Sequence, residues 1–184
     1  ITRTAGLYDV QGGSGDDVMY LPYAFSNDYR IDGGTGADTL VFDHPELAGS
    51  TRYAIDFTAD AFSQSSYSEN GFPSRTIDTP ALRDMIDSVE TFVFHGGTEG
   101  IDAILSAEAI RAMASPAVSI PQPDGSVTEA NWRLTVHVDG DVTVTVTDGA
   151  QWALIDSGSG IAQFYNGAYD TYLFIDNNAD LTFL

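Results

Sequence analysis

Residues 11–21, QGGSGDDVMYL, and residues 32–42, DGGTGADTLVF, align without a gap. Gly12, Gly13, Gly15 and Asp17 fall on Gly33, Gly34, Gly36 and Asp38, and Met19 falls on Leu40. Paired glycines followed by a third let a backbone take positive φ and turn carbonyl oxygens inward. The aspartate two positions on adds a carboxylate to that ring of oxygens. Calcium takes six to eight oxygens and accepts carbonyls as readily as carboxylates. The short apolar run behind each aspartate then reads as a strand with Met19 or Leu40 directed into a core.

Both stretches satisfy G-G-x-G-x-D-x-U-x, the calcium-binding nonapeptide of RTX proteins. The candidate metal residues are Gly12, Ser14 and Asp17 in the first copy and Gly33, Thr35 and Asp38 in the second. The copies lie 21 residues apart, where two nonapeptides would take about 18. The intervening PYAFSNDYR has lost the motif and keeps Asn27 and Asp28 as candidate ligands. Residues 7–43 are therefore expected to form a short roll-like segment that docks on the rest of the chain, because so few repeats cannot bury a core alone. A damaged third copy, HGGTEGIDAIL, offers Asp102, with a plain turn as the alternative. Several calcium ions are expected.

Charge agrees with this chemistry. The 184 residues carry 27 acids against seven basic residues, a net charge of −20; 21 of the acids are Asp, and every basic residue is Arg. Aspartate favours turns and ligates hard cations. Such a surface repels nucleic acid and anionic membranes, and no apolar stretch is long enough to span a bilayer, so neither is an expected partner. A generally acidic, salt-adapted surface is the competing explanation. Cysteine is absent, which excludes disulfides, zinc–thiolate sites and a cysteine nucleophile.

The second half alternates strongly. RLTVHVDGDVTVTVTDG reads as an antiparallel hairpin about a DGD turn, in which Asp139 and Asp141 are turn residues. QWALID, IAQFYN and DTYLFID read as further strands. Two short helices are predicted. One starts at Thr79–Pro80 with Leu82, Met85, Ile86 and Val89 on one face. The other covers 105–115, with Ser106 as N-cap, Glu108 in the first turn, and Ile110 and Met113 inward. The expected fold is mainly β, a sandwich-like antiparallel core with the calcium-bound roll-like segment and one or two short helices, all in a single ligand-binding domain over residues 1–184.

Beyond the nonapeptides, the order DGGTGADTLVF, DSVETFVFHGGTEGIDAILSAEAIRAMAS, LTVHVDGDVTVTVTDGAQW and FYNGAYDTYLFID resembles a module of giant bacterial RTX adhesins, specifically their peptide-binding domain. The resemblance covers most of residues 31–176. It implies a β-rich, calcium-loaded domain of a secreted protein at the bacterial cell surface, which captures the C-terminal end of a partner polypeptide with help from a calcium ion. Asp17 and Asp38 map on the repeat's ligating aspartates, and Glu90 maps on the acid of the family's IE strand. No motif marks the peptide pocket. Arg111 and Arg133 are candidates to meet a carboxylate, and Tyr165 and Tyr169 are candidate aromatic walls; an ordinary surface or core role competes for each.

Three other functions compete. Catalysis is not expected, since His44, His95 and His137 stand apart and neither HExxH nor G-x-S-x-G occurs. A calcium-dependent carbohydrate-binding module and a structural stalk domain remain open, the first making a glycan the alternative partner.

Overall fold

A computed structural model describes residues 2–4, 7–21, 29–43, 52–59, 82–97, 100–121 and 126–184. The protein is mainly β, but its strands pair chiefly in parallel and wind into stacked coils with three faces. On the first face β2 (Leu7–Ser14), β4 (Tyr29–Thr35) and β7 (Ile86–Asp87) run parallel, with β1 (Thr2–Thr4) antiparallel along β2. On the second, β3 (Val18–Leu21), β5 (Thr39–Asp43), β8 (Thr91–His95), β11 (Val127–Asp139) and β15 (Thr171–Asp176) are parallel neighbours. Antiparallel strands β14 (Ile161–Asn166) and β13 (Trp152–Asp156) extend that sheet beyond β15, and β10 (Pro116–Pro121) pairs antiparallel with β11. The third face stacks β6 (Tyr53–Asp56), β9 (Ile101–Leu105), β12 (Val142–Val146) and β16 (Asp180–Phe183) in parallel.

The alternating apolar residues of all three faces meet inside. Met19, Leu40, Phe92, Leu134 and Leu173 come from the second face, Ile31 and Ile86 from the first, and Ile55, Ala103 and Val144 from the third, in one buried cluster. Four phenylalanines knit its centre. Phe42 stacks on Phe94 with ring centroids 4.9 Å apart, and Phe57 stacks on Phe92 at 5.2 Å. The like-on-like stacking follows from the parallel register, which sets Leu40 beside Met19 and Phe92, and Phe42 beside Leu21 and Phe94.

Two expected elements take other forms. The sequence 134–146 is not a hairpin: β11 and β12 do not pair with each other but lie on adjacent faces. DGD is the corner between them, with Gly140 at φ +82°. Val/Thr alternation buries one side of a strand in either arrangement, so it fixes the inward residues (Leu134, Val136, Val142, Val144) but not the neighbour. Likewise Leu82, Met85, Ile86 and Val89 are all buried, yet as a single 3₁₀ turn (Leu82–Asp84) followed by β7. The second helix forms as expected. In α1 (Ala107–Met113), Ser106 accepts a hydrogen bond from the Ala109 amide at 3.1 Å, and Ile110 and Met113 are buried.

Candidate metal centre

The two glycine motifs form the corner between the first and second faces and sit one above the other. The 21-residue interval is the length of that coil: Gly13 registers on Gly34, Ser14 on Thr35, and Met19 on Leu40. The third coil turns the same corner without glycines. Residues 88–90, SVE, do there what residues 33–38, GGTGAD, do in the coil before, and Glu90 comes to lie next to Asp38. Glu90 precedes Thr91 as Asp38 precedes the registered Thr39, and its carboxylate reaches the Asp38 amide.

The three acids form a ladder. The Asp17 amide donates to Asp38 Oδ1 at 2.9 Å, and the Asp38 amide donates to Glu90 Oε2 at 2.8 Å. Backbone bonds run alongside, from the Thr39 amide to the Asp17 carbonyl and from the Thr91 amide to the Asp38 carbonyl. Each acid also keeps one buried oxygen with no hydrogen-bond partner: Asp17 Oδ2, Asp38 Oδ2 and Glu90 Oε1. Asp38 is wholly buried and Glu90 is 9% exposed. Burial pushes the Asp38 carboxyl above its ordinary 3.8; the Asp17 amide pulls it back, and the charges of Glu90, Asp17 and Asp16 push it up again.

The glycines leave space beside these oxygens. A methyl group on Gly33 would lie 1.9 Å from the Ser88 carbonyl oxygen and 2.8 Å from Asp38 Oδ2. One on Gly12 would lie 2.3 Å from the Gly33 carbonyl oxygen and 3.0 Å from Asp17 Oδ2. A carbonyl and an orphaned carboxylate oxygen thus border each glycine, a donor set of hard oxygens suited to calcium. Among the described residues, no point gathers three or more His, Cys, Asp or Glu side chains. Carbonyl oxygens from the glycine corners are the further donors a calcium ion accepts. Ser14 and Thr35 are exposed at the tips of the two turns, and the Thr35 carbonyl accepts from the Gly15 amide at 2.8 Å. Asp28 lies outside the described residues.

Asp102 belongs elsewhere. Its damaged glycine motif turns the corner between the second and third faces, where Gly96 packs against the Asp141 backbone. There Arg52, just ahead of β6, supplies the positive charge. Its Nε donates to Asp102 Oδ1 at 2.8 Å, its Nη1 to Asp141 Oδ2, and its Nη2 to Thr143 Oγ1 at 3.1 Å and to the Ile101 carbonyl at 3.3 Å. A guanidinium thus stands among oxygens much as a metal ion would. No local pattern in residues 50–60 announces it, because its partners lie 50 and 89 residues away.

No protein-family model, curated protein or solved structure matches this chain.

Of the four residues expected to meet a ligand, Arg133 and Tyr165 flank Tyr172 in one row of the large sheet, while Arg111 lies on α1 against Trp132 and Tyr169 sits in a turn. Exposed Arg111, on α1, has its Cζ 5.4 Å from the ring centroid of Trp132. Arg133 is half-buried on the opposite side of β11, its Cζ 4.4 Å from the Phe174 ring. Tyr165 packs against Tyr172 with ring centroids 4.7 Å apart and the rings tilted by 39°, and donates through Oη to Asp170 Oδ1 at 3.1 Å. Tyr169 contributes its carbonyl to the turn, accepting from Thr171 Oγ1. His95 and His137 are each engaged at Nδ1 by an aspartate, Asp139 at 3.3 Å and Asp176 at 3.0 Å.

Proposed function

We propose that this chain is a calcium-dependent ligand-binding domain of a secreted RTX-type adhesin, capturing the C-terminal end of a partner polypeptide at the bacterial surface. The carrying observation is the ladder of Asp17, Asp38 and Glu90, three stacked acids that each bury an oxygen without a partner. Buried carboxylates without compensating charge are strongly disfavoured. Divalent cations along the corner, each between neighbouring rungs, supply that charge and use the orphaned oxygens of Asp17, Asp38 and Glu90 as ligands, with the carbonyls beside Gly12 and Gly33 as further donors. The ligand class follows from the resemblance over residues 31–176.

Thermal melting of the chain in calcium and in chelator tests the metal reading. Calcium at a hundredfold excess over its dissociation constant contributes about 2.7 kcal/mol per site, a rise of roughly 5–10 °C for a chain of this size. Identical melting curves in calcium and chelator would sink it. Retention of a peptide library with free C-termini, in calcium but not in chelator, tests the ligand.

The stalk reading is favoured by one observation: the glycine corners are continuous with the remaining coils and share their core, as in a structural extender. A calcium-dependent melt without retention of peptide or glycan would select it.

A further inference from the structure

On the outer side of the large sheet, two nitrogen donors border Phe174, and neither has an acceptor among the described residues. Strand alternation puts Arg133 on the side of β11 opposite the core residues Leu134 and Val136, and Phe174 on the same outer side of β15. The Arg133 guanidinium lies over the Phe174 ring, Cζ to centroid 4.4 Å. Gln163 registers directly across from Phe174 on β14; it is 7% exposed, and its Nε2 is buried without a hydrogen-bond partner. In the next row Tyr172 lies between Arg133 and Tyr165, and the three aromatic rings form a cluster separate from the core.

Several basic side chains of this molecule do have an acid partner: Arg52, His95 and His137 each sit against an aspartate. Arg133 has no carboxylate beside it among the described residues, in a chain of net charge −20. Burial lowers its pKa below the ordinary guanidinium value. A ring face returns only part of a guanidinium's lost hydration, and an unpaired buried amide N–H is a further cost. Both are repaid by one planar acceptor. A guanidinium fork matches the two oxygens of a carboxylate, and a single positive charge beside a neutral amide balances a monoanion better than a phosphate dianion, which so acidic a protein would repel.

We propose that Arg133, Gln163 and Phe174, walled by Tyr172 and Tyr165, form a carboxylate-binding site on the outer face of the large sheet. The guanidinium takes the carboxylate, the Gln163 amide adds a donor, and the tyrosines pack against the group that carries it. That this carboxylate is a peptide terminus rests on the ligand-binding reading above; the site itself uses no metal.

The test is isothermal titration of the full chain in calcium with a mixture of N-acetylated tetrapeptides bearing free C-termini, the same mixture amidated, and inorganic phosphate. The expected result is binding of the free-carboxylate mixture alone. R133Q should weaken it about tenfold or more and Q163L less, with the calcium-induced rise in melting temperature unchanged in both. Should R133Q fail to fold, Q163L decides. Equal binding by amidated peptides, undiminished binding by the variants, or no binding of the mixture overturns the site. Phosphate binding as tightly as the peptides also overturns it, in favour of a general oxyanion site. Arg133-dependent binding with no calcium effect on melting overturns the metal reading alone, and the reverse pattern overturns only this site.

Discussion

At Asp38, one residue joins the fold to the proposed cation site. Its Oδ1 closes the corner on the Asp17 amide while its Oδ2 is buried without a partner. In metal-free protein the folded state holds the Asp38 proton more tightly than the unfolded chain does, because burial raises its pKa from 3.8. Its contribution is therefore favourable at pH below that value and is lost as pH rises through the raised one. D38N keeps an acceptor for the Asp17 amide and discards the charge. In metal-free buffer at pH 7 it should melt no lower than the wild type, and in calcium it should lose most of the wild-type gain. A variant that melts lower without calcium and gains normally with it would show Asp38 to be purely structural. The glycines separate in the same way. G33A drives a methyl group to 1.9 Å from the Ser88 carbonyl oxygen and should cost about 3 kcal/mol or more in denaturant unfolding. G13A meets nothing within 4 Å and strains only a φ of +100°, for about 1–2 kcal/mol. Equal costs would mean that the coils do not pack at this spacing. The sequence named Asp17 and Asp38 because a spacing motif is local. Glu90 came only through the family resemblance, and its place on the ladder depends on a corner three residues shorter than the motif's.

Elements carry the next lesson. Every strand expected in the second half exists, and in β11 and β12 the inward residues are those the alternation marks. What alternation cannot specify is the partner: a strand next to its own hairpin mate and a strand next to one from another coil bury the same residues. The parallel neighbours of β11 and β12 lie from 37 to 44 residues away in sequence, beyond any local signal. The same blindness placed Asp102 in a calcium site. A glycine-rich turn before a strand looks alike at either corner, and only the coil geometry shows that Arg52 already stands there. R52Q removes four hydrogen bonds from the junction of β6, β9 and β12. Arg52 is about a third exposed and Asp141 more so, so solvent screens much of the attraction. The expected loss is about 1–2 kcal/mol in denaturant unfolding. D102N, which removes one charge but leaves an acceptor, should cost less. No loss in R52Q would mean that backbone pairing alone holds this corner.

The whole molecule is a stack in which the coils are unequal. The third coil contributes Phe92, Phe94, Ile101, Ala103 and Leu105 to the core, all essentially inaccessible to solvent. In the first coil's described residues only Met19 is a buried hydrophobic, while Val18 and Tyr20 on β3 are 60% and 71% exposed. Stability in a solenoid is close to a sum over units and their interfaces. The first coil adds little apolar burial to that sum and brings Asp17 onto the unpaired charges below it. A calcium ion at the proposed site would reverse the sign of that local electrostatic term without touching the aromatic centre. The consequence is a graded response, best read by amide hydrogen exchange. In chelator the amides of Gly15, Asp17 and Thr39, which close the glycine corners, should exchange at least tenfold faster than those of Ile101, Thr135 and Thr147 in the later coils. Added calcium should slow the first group and leave the second nearly unchanged. Uniform exchange in chelator, with uniform slowing by calcium, would instead make the stack one cooperative unit, its metal stabilising the last coil as much as the first.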